Sequence, residues 1–540
     1  MAPTTRGLTE ASRPVCRIWG RRPFQPFQDN SQDAQKYWNE IAEVKYKVRQ
    51  KQGSAAEVRP VESVLTELKQ LSPGPGPGVP KHLPISYDGI GRRIVKISCG
   101  STFIAFLTEA NEVYTVGHGL QGQLGQGPKV GALRTPAKVA MPKPETASAA
   151  VRRAGSGESV QNMTASRNWA DSLSEPAGEE AAVVVDVAAG EAHCLALAED
   201  GVVFVWGASQ ACGLATVDDV LTPAVLNDAI PLDRPAQETP PTTLGATPGL
   251  PPAQKVVAVA ACAQKSIALS LDGRLYLWGN WPGRARIIQP LEVAQVLSEE
   301  GAVHSAKIVL GETAGVLMLK LTETPHRVYL YQFGMGIRNE ILSPGRQFDE
   351  PLFQRKCESR YDMFVPEPIS TYLNKISGLD CYDVLDVAVG SRHMLVLTSE
   401  GKILCWGDNS WGQCGVTGER MTRVSPPACV SFQEEVTPVR VFAGGNQSAF
   451  ISDVGQVYMW GCNQDHRLAN SAIKLLAEAP IRALGPKGFV ASLGRASSIG
   501  TSTAASVQDS LFSPQRVLAL GSYHATAIGM GEEFTAIATD

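Results

Sequence analysis

A 24-residue pattern returns along this chain, and a returning pattern constrains the fold more than any single residue does. Its clearest copy runs from Val384 to Gly407, VLDVAVGSRHMLVLTSEGKILCWG. A first strand runs from Val384 to Thr398 with a break at Gly390-Ser391-Arg392. A tight turn at Ser399-Glu400-Gly401 follows, and a second strand runs from Lys402 to Trp406. Gly401 stands where a hairpin turn takes positive φ, which glycine adopts without steric cost. Gly407 then opens a polar, glycine-rich loop.

Counted from Gly390, the turn glycine lies 11 residues on and the Trp-Gly pair begins 5 beyond it. Gly190, His193, Gly201, Trp206 and Gly207 keep that spacing. So do Gly444, Gly455, Trp460 and Gly461, and so do Gly273, Trp278 and Gly279 behind a Cys262 that replaces the first glycine. Gly100, Asn111, Val116 and Gly117 form a weaker copy, with asparagine as the next-best turn residue. Gly311 and Phe333-Gly334 form another, with 6 extra residues at the hairpin tip. Between copies a proline leads into an apolar strand: TPAKV, TPAVL, QPLEV, EPI, PPACV and SPQRV.

After SPQRV, Gly531 takes the place of Gly390 and Phe534 that of His393, but the sequence ends at Asp540 before a turn glycine. The half this copy lacks stands at the other end, where PVCRIWG (Pro14 to Gly20) finishes in Trp19-Gly20. Seven anchors, the last shared by both ends, predict an all-β, seven-bladed β-propeller closed by pairing of N- and C-terminal strands. Such a ring has no free sheet edge.

The order G-x-x-H, apolar strand, D/E-G turn, strand ending in W-G and G-Q-x-G loop resembles the repeat of the regulator of chromosome condensation (alpha-tubulin suppressor-like) family. The loop is read at Gly122 to Gly125 (GQLG) and Gly412 to Gly415 (GQCG) only. The resemblance implies a seven-bladed propeller closed by both termini. For the family's founding member it implies guanine-nucleotide exchange on a small GTPase. No exchange residue carries over, because no matching motif is present.

The domain reading is one propeller over 14–540 behind an N-terminal extension, 1–13. Insertions are expected at 21–90, 128–182, 232–252, 338–380 and 484–512. The first of these is read as helical: Tyr37, Ile41, Val44 and Val48 share one face of a helix over Ser31 to Gln52, and Val61, Val64, Leu65, Leu68 and Leu71 share one face of a second. PGPGPG follows at Pro73 to Gly78.

Chemistry is read sparingly. No Walker loop, GxSxG, HExxH or zinc spacing occurs, and GHGLQG at Gly117 to Gly122 lacks the helix a dinucleotide loop needs. His193 and His393 occupy one repeat position in different blades, where other copies hold Lys265, Gln447 or Phe534, so they read as structural and not as metal ligands. Trp19, Trp206, Trp278, Trp406 and Trp460 read as aromatic wedges between blades. No catalytic, cofactor or metal residue is expected. The net charge of −4 offers no field to recruit nucleic acid, which is expected only within a ribonucleoprotein. No apolar run is long enough to cross a membrane. The eleven cysteines form no CxxC pair, which fits a reduced, intracellular protein.

The expected function is a non-enzymatic, monomeric scaffold binding a protein partner, with a ribonucleoprotein or cytoskeletal assembly as a candidate setting. The alternative is an exchange factor whose partner is a small GTPase. A cytoplasmic location is expected. The five arginines within residues 1–22 make a mitochondrial presequence the alternative.

Overall fold

The structure, a computed structural model, describes residues 14–20, 39, 42–43, 85–87, 89–142, 182–214, 216–226, 255–281, 286–295, 303–312, 314–322, 328–334, 374–375, 379, 382–416, 421–432, 436–464, 467–469, 510–532 and 534–540. Their strands form seven antiparallel sheets of four. Blade 1 holds β3 (Ile94–Cys99), β4 (Phe103–Thr108), β5 (Val113–His118) and β6 (Ala132–Lys138). Blade 2 holds β7 (Val184–Ala189), β8 (His193–Ala198), β9 (Val203–Gly207) and β10 (Val220–Val225). Blade 3 holds β11 (Val256–Cys262), β12 (Lys265–Ser270), β13 (Arg274–Gly279) and β14 (Ile287–Gln295). Blade 4 holds β15 (Val303–Leu310), β16 (Ala314–Leu321), β17 (Val328–Gly334) and β18 (Asn374–Lys375).

Blade 5 holds β19 (Val384–Val389), β20 (His393–Thr398), β21 (Ile403–Asp408) and β22 (Arg423–Cys429). Blade 6 holds β23 (Pro438–Gly444), β24 (Gln447–Ser452), β25 (Val457–Cys462) and β26 (Ser510–Arg516). Blade 7 joins β27 (Ala525–Met530) and β28 (Phe534–Thr539) to β1 (Val15–Gly20) and β2 (Ile85–Tyr87) from the other end of the chain.

The first strands of successive blades touch all the way round, β3 to β7, β11, β15, β19, β23, β27 and back to β3, so they are the inner strands that enclose the axis. The core is correspondingly divided. Seven apolar clusters lie one in each seam between neighbouring blades, from Phe103 with Trp206 between blades 1 and 2 to Ile97 with Ala536 between blades 7 and 1. Trp19, Trp206, Trp278, Trp406 and Trp460 are each 1% exposed or less in such a seam.

Closure rests on register. In six blades the Trp-Gly glycine, or its Val-Gly or Phe-Gly counterpart, pairs across strands with the histidine position: Gly117 with Phe103, Gly207 with His193, Gly279 with Lys265, Gly334 with Ala314, Gly407 with His393 and Gly461 with Gln447. In blade 7 Gly20 pairs with Phe534 in the same way, although 514 residues separate them in sequence. This glycine is obligatory on two counts. At Gly407 φ is +113°, and a Cβ would lie 2.4 Å from the Arg392 carbonyl oxygen.

One expectation needs correction, and two others fall largely outside the described residues. The stretch Val384 to Thr398 is two strands, β19 and β20, because the chain reverses at Gly390-Ser391-Arg392. The EPI segment, Glu367 to Ile369, lies outside the described residues; the described fourth strand of blade 4 is β18, where Asn374-Lys375 pair with β17. The predicted helical insertion after β1 lies almost wholly outside the described residues. Of the two predicted helices only Asn39, Ala42 and Glu43 are described; they are helical, and the apolar positions Tyr37, Ile41, Val44, Val48 and Val61 to Leu71 lie outside the described residues. Asn39 is tied to the propeller, its Oδ1 accepting the Gly131 and Ala132 amides at 2.9 and 3.1 Å. The other predicted insertions, apart from strand residues at their edges, also lie largely outside the described residues.

Candidate functional site

Two surfaces of the ring could meet a ligand. On one, called upper here, lie the turns between first and second strands and the loops that follow third strands. On the other, lower, lie the hairpin tips between second and third strands. What holds both in place is the seam.

The G-x-x-H turn is built by fit. A Cβ on Gly390 would lie 2.2 Å from the His393 ring and 2.8 Å from the Gly445 carbonyl of the next blade, so only glycine lets the imidazole fold over it. Gly190 has the same relation to His193. The rings then reach into the next blade. His393 Nε2 lies 2.7 Å from Ser448 Oγ, which donates to the Gln413 carbonyl at 2.8 Å. The serine proton is thereby committed, so Nε2 carries the hydrogen of a neutral imidazole. His193 Nε2 meets Ser266 Oγ at 2.7 Å in the same way. Burial holds both histidines down at a pKa of about 4.

Where the histidine changes, its partner changes with it. Gln447 Oε1 accepts from Thr535 Oγ1 at 2.8 Å. Lys265, only 5% exposed, donates to the Gly311 carbonyl at 3.2 Å and to that of Glu312, with its ammonium 5.6 Å from the Trp281 ring centroid. Burial lowers its pKa. Phe103 and Phe534 simply pack. The serines and threonine were not singled out from sequence, although they stand one residue past the histidine position in the following copy.

The G-Q-x-G loop completes the clamp. Trp206 Nε1 donates to the Gln123 carbonyl at 2.9 Å and Trp460 Nε1 to that of Gln413 at 2.8 Å. A third loop does the same work without the first glycine: Gln210 to Gly213 forms part of α1 (Ser209–Cys212) and its cap, and the Ala211 carbonyl accepts Trp278 Nε1 at 3.0 Å. Gly125, Gly213 and Gly415 all have positive φ against the neighbouring tryptophan. In blade 6 Ala469, with φ 57°, stands at that place beside Trp19. GHGLQG is likewise a seam loop, closed by turns from the Gly122 amide to Gly119 and from the Gly125 amide to Gly122.

Each predicted repeat residue therefore falls at a seam or turn. The G-x-x-H turns holding Gly100, Gly190, Gly390 and Gly531 line the upper mouth with Gly444, Cys262 and Gly311. Backbone bonds join neighbouring turns, Ser101 to Glu191, Glu191 to Ala263 and Ser391 to Gly445, at 3.2, 2.6 and 2.8 Å. Exposed Glu191, Glu312, Arg392 and Glu532 project there. Nearer the lower mouth, four residues before each anchor, an inner ring of side chains links blades: Lys96 to Asp186 and Lys307 to Asp386 are ion pairs. Asp386 Oδ2 also accepts the Val441 amide of blade 6 at 3.1 Å. The described residues contain no group of three His, Cys, Asp or Glu able to hold a metal ion, and no helix long and apolar enough to cross a membrane.

The regulator of chromosome condensation repeat profile matches residues 184–213, 384–413 and 400–451. The chain is 25% identical over 377 residues to the ultraviolet-B receptor UVR8 of Arabidopsis thaliana, covering 69% of this chain and 66% of that one. It is 23% identical over 393 residues to the human regulator of chromosome condensation, covering 67% and 82%. The first three curated relatives are matched over 66, 57 and 48% of their own length. Among solved structures, Prp20p of Saccharomyces cerevisiae, described with its binding properties to Gsp1p and histones, has a TM-score of 0.54 at 15% identity, over 98% of this chain and 92% of that one. Human WBSCR16 has a TM-score of 0.55 at 15% identity, over 98% and 99%.

These relations correct the expectation of a chain without enzymatic activity. The exchange reaction of the founding member needs no nucleophile, phosphate loop or metal, and Prp20p shares the fold over nearly the whole chain. With seven blades, matching repeats and the closing strand pair in place, the chain is a diverged member of the regulator of chromosome condensation repeat family.

Proposed function

We propose that this propeller binds a small GTPase and accelerates release of its guanine nucleotide. The observation that carries the reading is the match to Prp20p, described for its binding to Gsp1p, across 98% of this chain. Exchange is a matter of differential affinity: a factor that binds the nucleotide-free GTPase more tightly than the nucleotide-bound one speeds release by stabilising the intermediate. A ring of tightly packed seams suits this, because a stiff scaffold loses little freedom when it docks. The loops it holds at the upper and lower faces supply the contacts. The absence of catalytic motifs is consistent with that mechanism.

Nucleotide release from a panel of small GTPases loaded with fluorescent GDP tests the reading. Release from at least one member is expected to speed up in proportion to the amount of propeller added. Unchanged release across the whole panel overturns it. A cytoplasmic location belongs to the same proposal, and a fluorescent fusion of the full chain that accumulates in mitochondria contradicts it.

A further inference from the structure

Blade 3 departs from the repeat at two places at once. Its upper turn carries Cys262 where the other copies have glycine, and Lys265 where blades 2 and 5 have histidine. The two residues are Cα partners across the turn between β11 and β12, with only Ala263 and Gln264 between them. In other copies the second residue folds back over the first. A Cβ on Gly100, Gly190 or Gly390 would lie 2.2, 2.1 or 2.2 Å from the ring of Phe103, His193 or His393. A ring at position 265 would collide with the Cys262 side chain, whereas a linear lysine stem runs beside it. The copy that gains a thiol has thus exchanged the ring for an amine.

The pair stands at the rim of the upper mouth. Cys262 is partly exposed, whereas Cys194, Cys212, Cys405 and Cys414 are buried. Lys265 Nζ is held by the Gly311 and Glu312 carbonyls, and among the described residues no carboxylate is bonded to it. A partly exposed thiol beside a lysine is the surrounding in which cysteines react. Burial pushes the Cys262 thiol up while Lys265 beside it holds it down, and burial lowers the lysine's own pKa. The amine can therefore take the thiol's proton and, when neutral, act as a nucleophile.

We propose that Cys262 and Lys265 form an oxidation site for hydrogen peroxide that closes into a sulfur–nitrogen bond. The thiolate attacks one peroxide oxygen, the O–O bond breaks, and one water leaves with Cys262 as sulfenic acid. The Lys265 amine then attacks that sulfur. The S–O bond breaks, the departing oxygen takes the proton shed by nitrogen, and a second water leaves. Sulfur is oxidised and peroxide reduced: one thiol, one amine and one peroxide give one sulfenamide and two waters. The new bond withdraws the amine from the Gly311 and Glu312 carbonyls and so frees the upper turn of blade 4. The site stands apart from nucleotide exchange and does not depend on it.

Trypsin reads the bond directly, because it does not cut after a lysine whose amine is blocked. The full chain is treated with hydrogen peroxide, its remaining thiols are alkylated, and the digest is weighed without reductant. The expected product is the peptide Val256–Arg274, uncut at Lys265 and lighter by two hydrogens than its reduced form. Dithiothreitol is expected to restore cutting. Cys262→Ala is expected to be cut at Lys265 with or without peroxide. Lys265→Arg keeps the charge and the donors to blade 4, and is expected to stop at a sulfenic acid that dimedone traps. An unchanged melting temperature verifies that each variant is folded, and the wild-type peptide decides alone where one is not. Three results overturn the proposal: Cys262 left as a free thiol, Cys262 in a disulfide with another cysteine, or Cys262 carried to sulfinic acid while Lys265 is still cut.

Discussion

The seam between blades 5 and 6 and the seam between blades 4 and 5 are built from corresponding strands in the same register, yet among the described residues only one is clamped. In the first, the Gln413 carbonyl collects Ser448 Oγ and Trp460 Nε1, both at 2.8 Å, while His393 holds the serine. In the second, Ala314 stands at the histidine place, Met394 at the serine place, and the buried Nε1 of Trp406 has no acceptor among the described residues, which do not include the loop after Gly334. Val316, Leu330, Val387, Met394 and Trp406 close that seam by packing. Apolar burial is therefore sufficient to join two blades, and the polar clamp adds specification. Blade 4, which lacks it, is also the blade with the lengthened hairpin and the two-residue fourth strand.

The comparison breaks hardest at blade 7, whose third strand comes from the far end of the chain. Deleting residues 14–20 removes β1 and the Trp19 wedge together, and leaves β28 and β2 without their shared neighbour. The melting temperature is expected to fall by about 10 °C or more, or the cooperative transition to vanish. A transition unchanged in calorimetry would mean that both ends of the chain are dispensable for closure.

A smaller effect separates the seams by pH. The unfolded chain protonates His393 as pH falls through 6.5, whereas the folded chain holds it neutral down to about 4. Stability is therefore full above 6.5, falls between 6.5 and 4, and levels off below. The full fall is about 3 kcal/mol for each such histidine. His393→Gln is expected to flatten that slope while keeping the contact to Ser448, as Gln447 does with Thr535. Chemical denaturation at pH 7 and pH 5 measures it, and an unaltered slope would assign the pH dependence elsewhere.

Substituting phenylalanine sharpens the comparison directly. Trp460→Phe removes one of the two donors on the Gln413 carbonyl, leaving Ser448 Oγ in place, and is expected to cost about 1 kcal/mol in urea unfolding. Trp406→Phe removes a buried donor that has no acceptor among the described residues, so it is expected to be neutral or stabilising. Equal losses at the two sites would show that the clamp contributes nothing beyond packing.

The smallest expected effect is at a hairpin tip. Gly401 has φ +74°, but a Cβ there meets nothing nearer than 3.8 Å, so Gly401→Ala is expected to cost only about 1–2 kcal/mol of backbone strain. Asn111 holds the same turn at φ 60° in blade 1. A larger loss on unfolding would place unseen contacts at this tip.

Much of the ring was legible because its requirements are local. A turn needs Gly401, a cross-strand approach needs Gly407, and a wedge needs Trp406, all at fixed distances along the chain. That ruler also located Gly20 opposite Phe534. What escaped it depends on the next blade. The partners Ser266, Ser448 and Thr535 have meaning only beside His193, His393 and Gln447. The Gln210–Gly213 loop kept its carbonyl contact after losing its first glycine. The β18 strand is set by pairing to Tyr331 and Gln332, and no proline marks it.

Hydrogen exchange of the β1 amides tests the closed ring most directly. Val15 to Gly20 pair residue for residue with Thr539 to Phe534. Their amides are expected to exchange as slowly as those of β28 and to be lost only with the global unfolding of the ring. Amides of β1 that exchange freely while β28 stays protected would contradict a propeller closed by both ends of its chain.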